Sequence, residues 1–208
     1  MTTIVRALLL AGLLSYANAT STDAQTRGHH LWWGLAMDYG WGSFSCDVCE
    51  YRRVTGTNST QLDGWGLCGG FGWTSNRHVR VGLEYRGWLN GLKGGDSLPG
   101  LDIGQLFFSY SPRIRTGLFV EGAGAFTHYT LGLGTGDPIE PHKRVDLFAA
   151  GYGWGYGFGV GWQSQSGFTP RLIYLHCNEH RLHTADGSTV ATGWKQNMLF
   201  IEIGYRTP

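Results

Sequence analysis

From Gly151 to Trp162 the chain reads Gly-Tyr-Gly-Trp-Gly-Tyr-Gly-Phe-Gly-Val-Gly-Trp. One phase is glycine throughout; the other is Tyr152, Trp154, Tyr156, Phe158, Val160 and Trp162. Alternate side chains of a β-strand point to opposite faces, so this strand has an aromatic face and a bare one. A helix would scatter the rings around its axis, and glycine at every second position disfavours it. A sheet in water hides its aromatic face and turns polar residues outward. A strand with no polar face needs a different setting: an apolar exterior and an interior with little room. A small transmembrane β-barrel supplies both.

The N-terminus points to an export route. Arg6 precedes the apolar run Ala7–Leu14, and Ala17-Asn18-Ala19 follows. This order predicts a secretory signal peptide over residues 1–19 and one barrel domain over residues 20–208. The following residue is Thr20, not the cysteine of a lipoprotein anchor. No later segment has the roughly 18 consecutive apolar residues of a transmembrane helix. Aromatic residues make up 14% of the chain and charged residues 15%, which suits strands that interleave lipid-facing and lumen-facing positions. The net charge of +1 and the lack of a basic run argue against nucleic-acid binding.

Seven further segments alternate in the same way, more weakly. Strands are predicted at about His29–Trp41, Gln61–Thr74, Arg77–Leu89, Leu101–Ser111, Thr116–Thr130, Val145–Gln163, Thr169–Leu182 and Trp194–Tyr205. The third has Val79, Val81, Leu83 and Tyr85 opposite Arg80, Gly82, Glu84 and Arg86. Three charges on one face suit a lumen, where they can pair. In the seventh, Leu172-Ile173-Tyr174-Leu175 is apolar on both faces and leaves the phase open. Connections after the second, fourth and sixth strands are short; the others are longer. An even strand count with short and long connections in alternation predicts an antiparallel, eight-stranded barrel with periplasmic turns and extracellular loops.

The mature chain resembles the small eight-stranded outer-membrane β-barrel proteins, the OmpA-transmembrane-domain, OmpX and opacity-like group. The resemblance rests on Val81-Gly-Leu-Glu-Tyr85, Leu118-Phe-Val-Glu-Gly-Ala-Gly-Ala125, the Gly151–Gly161 alternation and Phe200-Ile-Glu-Ile-Gly-Tyr205. It implies a Gram-negative cell outer membrane, contact with outer-membrane lipids and lipopolysaccharide, and insertion by the barrel assembly machinery. Leu199, Ile201, Ile203 and Tyr205 resemble the terminal signal that this machinery reads, although Arg206-Thr207-Pro208 extends past the aromatic. A monomer with no cofactor is expected, and no extracellular ligand can be named. Such a barrel specifies architecture and leaves activity open.

Four groups of residues could carry chemistry. Asp38, Arg80, Glu84, Arg86, Glu121 and Glu202 are expected to face the lumen as a network of paired charges, with a narrow pore as the functional alternative. The glycines of the second and sixth strands would give these side chains room. Cys46 and Cys49 form a C-x2-C without a second pair, which favours a local disulfide in loop one over zinc or a redox centre. Cys68 and Cys177 read as small buried fillers, with a bridge between them left open. His176 and His180 share a strand face with only Asn178 between them, too few ligands for a metal site.

His176-Cys177-Asn178 also resembles the start of the His-x-Ser-Asn signature of outer-membrane lipid A deacylases, whose Ser, His and a downstream Glu form a triad. Here Asn178 stands at the serine position, and Cys177 faces the other side of the strand. Asp186 is the acidic residue available before the last strand. The sequence therefore favours a non-catalytic structural, surface-interaction or adhesion role. A deacylase-like hydrolase using His176 is the alternative, and a low-conductance pore the third reading.

Overall fold

The computed structural model describes residues 29–49, 61–75, 78–92, 100–112, 117–135, 145–184, 187 and 189–207. The expected signal peptide over residues 1–19, Asp186 and most of the longer connections lie outside the described residues. The long strands are β1 (His29–Ser45), β2 (Gln61–Ser75), β3 (Val79–Leu92), β4 (Gly100–Tyr110), β5 (Gly117–Thr135), β6 (Val145–Gln163), β7 (Phe168–Thr184) and β8 (Thr189–Arg206). Each pairs antiparallel with the next, and β1 pairs with β8, so these eight strands close into a barrel. A two-residue strand, Val48–Cys49, adds to the rim of β8.

Closure fixes the tilt. From Leu35, successive partners are Gly69, Tyr85, Gly104, Phe126, Trp154, Asn178, Lys195 and then Ser45, back on β1. The register line therefore returns about ten residues above its start, a stagger that demands strands tilted at about 40°. The interior of such a barrel admits side chains and little else.

Alternation decides which side chains go there. Leu118 is 70% exposed and Tyr152 63%, whereas Arg86 is 1% exposed. Large apolar residues stand outside and charge lies within, the inverse of a water-soluble sheet and the arrangement a bilayer requires. Outward rings mark both ends of the belt. Near the short turns, Trp33 meets Tyr205 with ring centroids 5.6 Å apart, alongside Trp73, Tyr110 and Trp162. Near the other end Tyr39 meets Trp65 at 4.9 Å, alongside Trp41, Trp154 and Tyr156.

The strands run past their expected outer ends. β1 reaches Ser45 rather than Trp41, β5 reaches Thr135 rather than Thr130, and β8 begins at Thr189 rather than Trp194. Apolar alternation marks only the length that meets lipid. Beyond it, the ladder continues through backbone hydrogen bonds that place no demand on side-chain pattern. At the opposite end β6 and β7 are joined by a tight turn. Ser164 N–H donates to Phe168 C=O at 2.9 Å, and Gly167 takes a φ of 90°.

The seventh strand's open phase is resolved. Leu172, Tyr174 and His176 face outward; Arg171, Ile173, Leu175, Cys177 and Glu179 face inward. The interior is layered. Trp32, Phe107, Phe119 and Arg206 lie towards the short turns, charges occupy the middle, and Trp88, Ile103, Tyr129, Leu175, Trp194, Met198 and Phe200 fill the outer half.

Candidate functional site

The middle layer is built by parity. Outward Met37, Leu83, Val120 and Ile203 oblige Asp38, Glu84, Glu121 and Glu202 to face in. Arg171 stands at the centre of the resulting cluster. Its Nε donates to Glu202 Oε1 at 2.6 Å, and its Nη1 lies 3.0 Å from Glu84 Oε1 and 3.1 Å from Glu121 Oε1. Arg86 bridges Asp38, Nε to Oδ2 at 2.8 Å, and Glu202, Nη2 to Oε2 at 2.7 Å. Arg206 donates from Nη2 to Glu84 Oε1 at 2.9 Å, and Gln105 Nε2 donates to Glu84 Oε2 at 2.7 Å. These carboxylates and guanidinium groups are nearly all buried. Isolated, each would cost several kcal/mol to bury, and mutual contact offsets that cost.

The structure thus gathers Asp38, Glu84, Arg86, Glu121 and Glu202 and leaves Arg80 apart. Arg80 Nη1 donates to Gln163 Oε1, and Gln163 Nε2 donates to Arg206 C=O at 3.2 Å. Two cations of the cluster escape the sequence reading. The phase of β7 is masked by its apolar run, which hides Arg171. Arg206 reads as a tail after the terminal aromatic, yet the parity of Ile201, Ile203 and Tyr205 already sends residue 206 inward. In the structure Arg206 is the final residue of β8, its guanidinium 5.0 Å from the centroid of Trp32.

The bare face of β6 acquires a more specific part. A Cβ on Gly159 would lie 2.8 Å from Glu121 Cγ, and one on Gly161 would meet Phe119 and Arg171. The sequence assigns this face to charges from the third, fifth and eighth strands. The structure puts an aromatic ring from β5 and the stem of an arginine from β7 there as well. On β2, a Cβ on Gly70 would lie 2.5 Å from Glu84 Cγ. A pocket among Cys68, Gly70, Glu84, Thr169, Arg171 and Glu202 has a volume of about 10 Å³, room for about one water.

On the outer wall, His176 stands level with the upper rings. Its Nδ1 lies 2.9 Å from Asn197 Oδ1, which also accepts from Tyr174 O–H at 2.7 Å, and its ring lies 5.1 Å from that of Tyr156. Read against the deacylase signature, an amide occupies the nucleophile position at Asn178, and an amide, Asn197, is what bonds His176. Cys177 faces the lumen and is fully buried. Glu179 also faces inward and is fully buried, so it does not approach His176 from the outer wall. No group of three or more His, Cys, Asp or Glu suited to a metal is found among the described residues.

Cys46 is disulfide-bonded, and Cys68 and Cys177 are free and buried. A bridge between the latter two, left open by the sequence, is therefore not formed. Maleimide should leave the folded barrel unmodified, and unfolding in urea without reductant should expose two reactive thiols, countable by mass.

No protein-family model matches the sequence, and no curated protein matches it. Solved structures do. Neisserial surface protein A superposes with a TM-score of 0.55 at 11% identity, covering 86% of this chain and 99% of that one. Ail, the attachment invasion locus protein of Yersinia pestis, in complex with the heparin analogue sucrose octasulfate, gives 0.53 at 10% identity, covering 85% and 99%. At such identities the likeness concerns the fold, and it agrees with the closed antiparallel register. The chain therefore folds as a small, eight-stranded, antiparallel outer-membrane β-barrel.

Proposed function

We propose that the protein is a non-catalytic barrel of the Gram-negative cell outer membrane that presents its longer hairpins at the surface for interaction or adhesion. The observation that carries this reading is the β5–β6 ladder. It continues from Phe126↔Trp154, at the upper rings, to Thr135↔Val145, well beyond the lipid-facing belt. A barrel whose only task was to seal a hole would need no such extension. Paired strands hold loops away from the membrane on a stiff support, which suits a partner met outside the cell. Two of the solved barrels on which the chain superposes are, by name, a surface protein and an attachment protein.

The interior supports a structural part for the charge cluster. Its layers are filled by paired charges and rings, and the pocket among them admits about one water. On the outer wall, His176 lacks a hydroxyl nucleophile at residue 178.

The test compares cells with and without the protein. Lipid A mass spectra should be identical, whereas binding of the cells to extracellular-matrix or host-cell preparations should fall when the barrel is absent or when residues 136–144 are replaced by a short Gly/Ser linker. A lost acyl chain that returns with His176→Ala would instead establish hydrolysis. Unaltered binding would remove the adhesion role.

A further inference from the structure

Among the described residues, outward charge above the lipid-facing belt is unevenly placed. On the β7–β8 wall, successive outward pairs are His176↔Asn197, Asn178↔Lys195, Arg181↔Thr192 and His183↔Thr189. Lys195, Arg181 and His183 are exposed. Among the described residues, neither Lys195 nor Arg181 has an ion-pair partner. Asp47 packs its carboxylate on Gly193 of this wall, and its backbone N–H donates to Thr192 C=O at 2.9 Å. On β2 and β4, near the upper rings, the outward charged groups among the described residues are acidic. Asp63 accepts from Tyr39 O–H at 2.9 Å, and Asp102 accepts from Tyr85 O–H at 2.5 Å with His128 Nδ1 3.5 Å away.

Height relative to the bilayer gives this asymmetry a meaning. Lys195 shares a register line with Trp154 through Asn178. Because that line climbs around the barrel, Lys195 lies just above the ring that marks the edge of the lipid-facing belt. Arg181 follows one outward pair higher. This is the depth at which lipid phosphates sit. Directly below, Asn197 Oδ1 already accepts from both His176 and Tyr174, so its amide nitrogen is the group left to donate.

We propose that the outward pairs of β7 and β8 form a binding strip for the phosphorylated headgroup of an outer-leaflet glycolipid. Lys195 and Arg181 engage phosphate. His176, Asn197 and Tyr174 hold the polar linkage at the boundary with the acyl chains. The inference rests on the reading that this end of the barrel faces the cell exterior. It gives the histidine of the deacylase-like motif a lipid-contacting part without hydrolysis, and it makes the lipid shell one-sided, because Asp63 and Asp102 repel the same headgroups.

The test uses the full chain in phosphatidylcholine nanodiscs doped with bis-phosphorylated lipid A or with its dephosphorylated form, and native mass spectrometry counts the lipids retained. Removing both charges in Arg181→Gln/Lys195→Gln should lower retention of phosphorylated lipid A on the order of tenfold. Asp63→Asn should not lower it. Lys195→Gln alone should give an intermediate loss, which keeps the comparison open if the double variant does not refold. Equal retention by wild type and the double variant overturns the strip, as does equal retention of the dephosphorylated lipid or an equal loss in Asp63→Asn. Maleimide labelling of Thr189→Cys on intact cells checks orientation separately. Labelling only after permeabilisation would overturn both the orientation and the strip. Labelling on intact cells with unaltered lipid retention would overturn the strip alone.

Discussion

Replacing Arg171 with methionine should lower the unfolding free energy of the barrel by about 3–5 kcal/mol, because it leaves a buried carboxylate cluster without its central cation. Glu121 and Glu202 lie 3.1 and 2.5 Å from this guanidinium, and Glu84 lies 3.0 Å away. Arg86 and Arg206 remain, but neither reaches all of these carboxylates. Urea titration in detergent micelles, followed by tryptophan emission, would measure the loss. Unboiled SDS gels should show the compact form giving way at a lower temperature. Arg171→Lys should recover only part of the loss, since an ammonium cannot fork between carboxylates as a guanidinium does. Arg171→Met/Glu202→Gln should be less damaging than Arg171→Met alone, because it removes one of the stranded charges. An Arg171→Met variant as stable as wild type would show the cluster to be hydrated rather than mutually neutralised.

The second large effect concerns glycine, and it depends on which way the residue faces. Gly161→Leu should destabilise the barrel by about 3 kcal/mol or prevent refolding, as it drives a side chain into Phe119 and Arg171 in an interior that cannot expand. Gly124→Leu should be close to neutral. Gly124 faces outward, and a Cβ there meets nothing within 4 Å. Refolding yield into lipid vesicles, scored by the gel shift, compares the two directly. Equal damage at both sites would mean that glycine serves strand conformation in general rather than interior space.

These two experiments follow from different degrees of legibility. The architecture was readable because a barrel in lipid imposes its period on every strand, and residues such as Leu83, Phe158 and Ile203 have no alternative place to go. The inward parity of Asp38, Glu84, Arg86 and Glu202 was readable for the same reason. Arg171 was not, because Leu172 to Leu175 are apolar on both faces, one set meeting lipid and the other an interior that is itself apolar at that height. The apolar outer half was missed on similar grounds: Leu175, Met198 and Phe200 satisfy either side of the wall. Arg80 faces inward as its parity requires, yet pairs with Gln163, a choice set by height within the lumen. Register establishes height, and only closure of the barrel establishes register. His176 shows another limit. A three-residue likeness placed it on the right strand, but its partner Asn197 lies on the neighbouring strand and could not be named from the motif.

The charge cluster also bears on how the chain is completed. The strands from β1 to β6 carry Asp38, Glu84 and Glu121 against Arg80 and Arg86, while β7 brings Arg171 with Glu179 and β8 brings Glu202 with Arg206. Arg206 stands opposite Gly34 on β1, beside a seam where Thr207 N–H reaches Trp33 C=O at 2.9 Å. In an unfinished wall Glu84 and Glu121 lack Arg171 and Arg206, and Arg86 lacks Glu202, so the side that must become the interior carries unpaired charges that keep it wetted and open. Pairing and shutting come together, when the last strand lies against the first. The interior works as a completeness check: the electrostatic state that lipid tolerates is reached only by a wall with no strand missing.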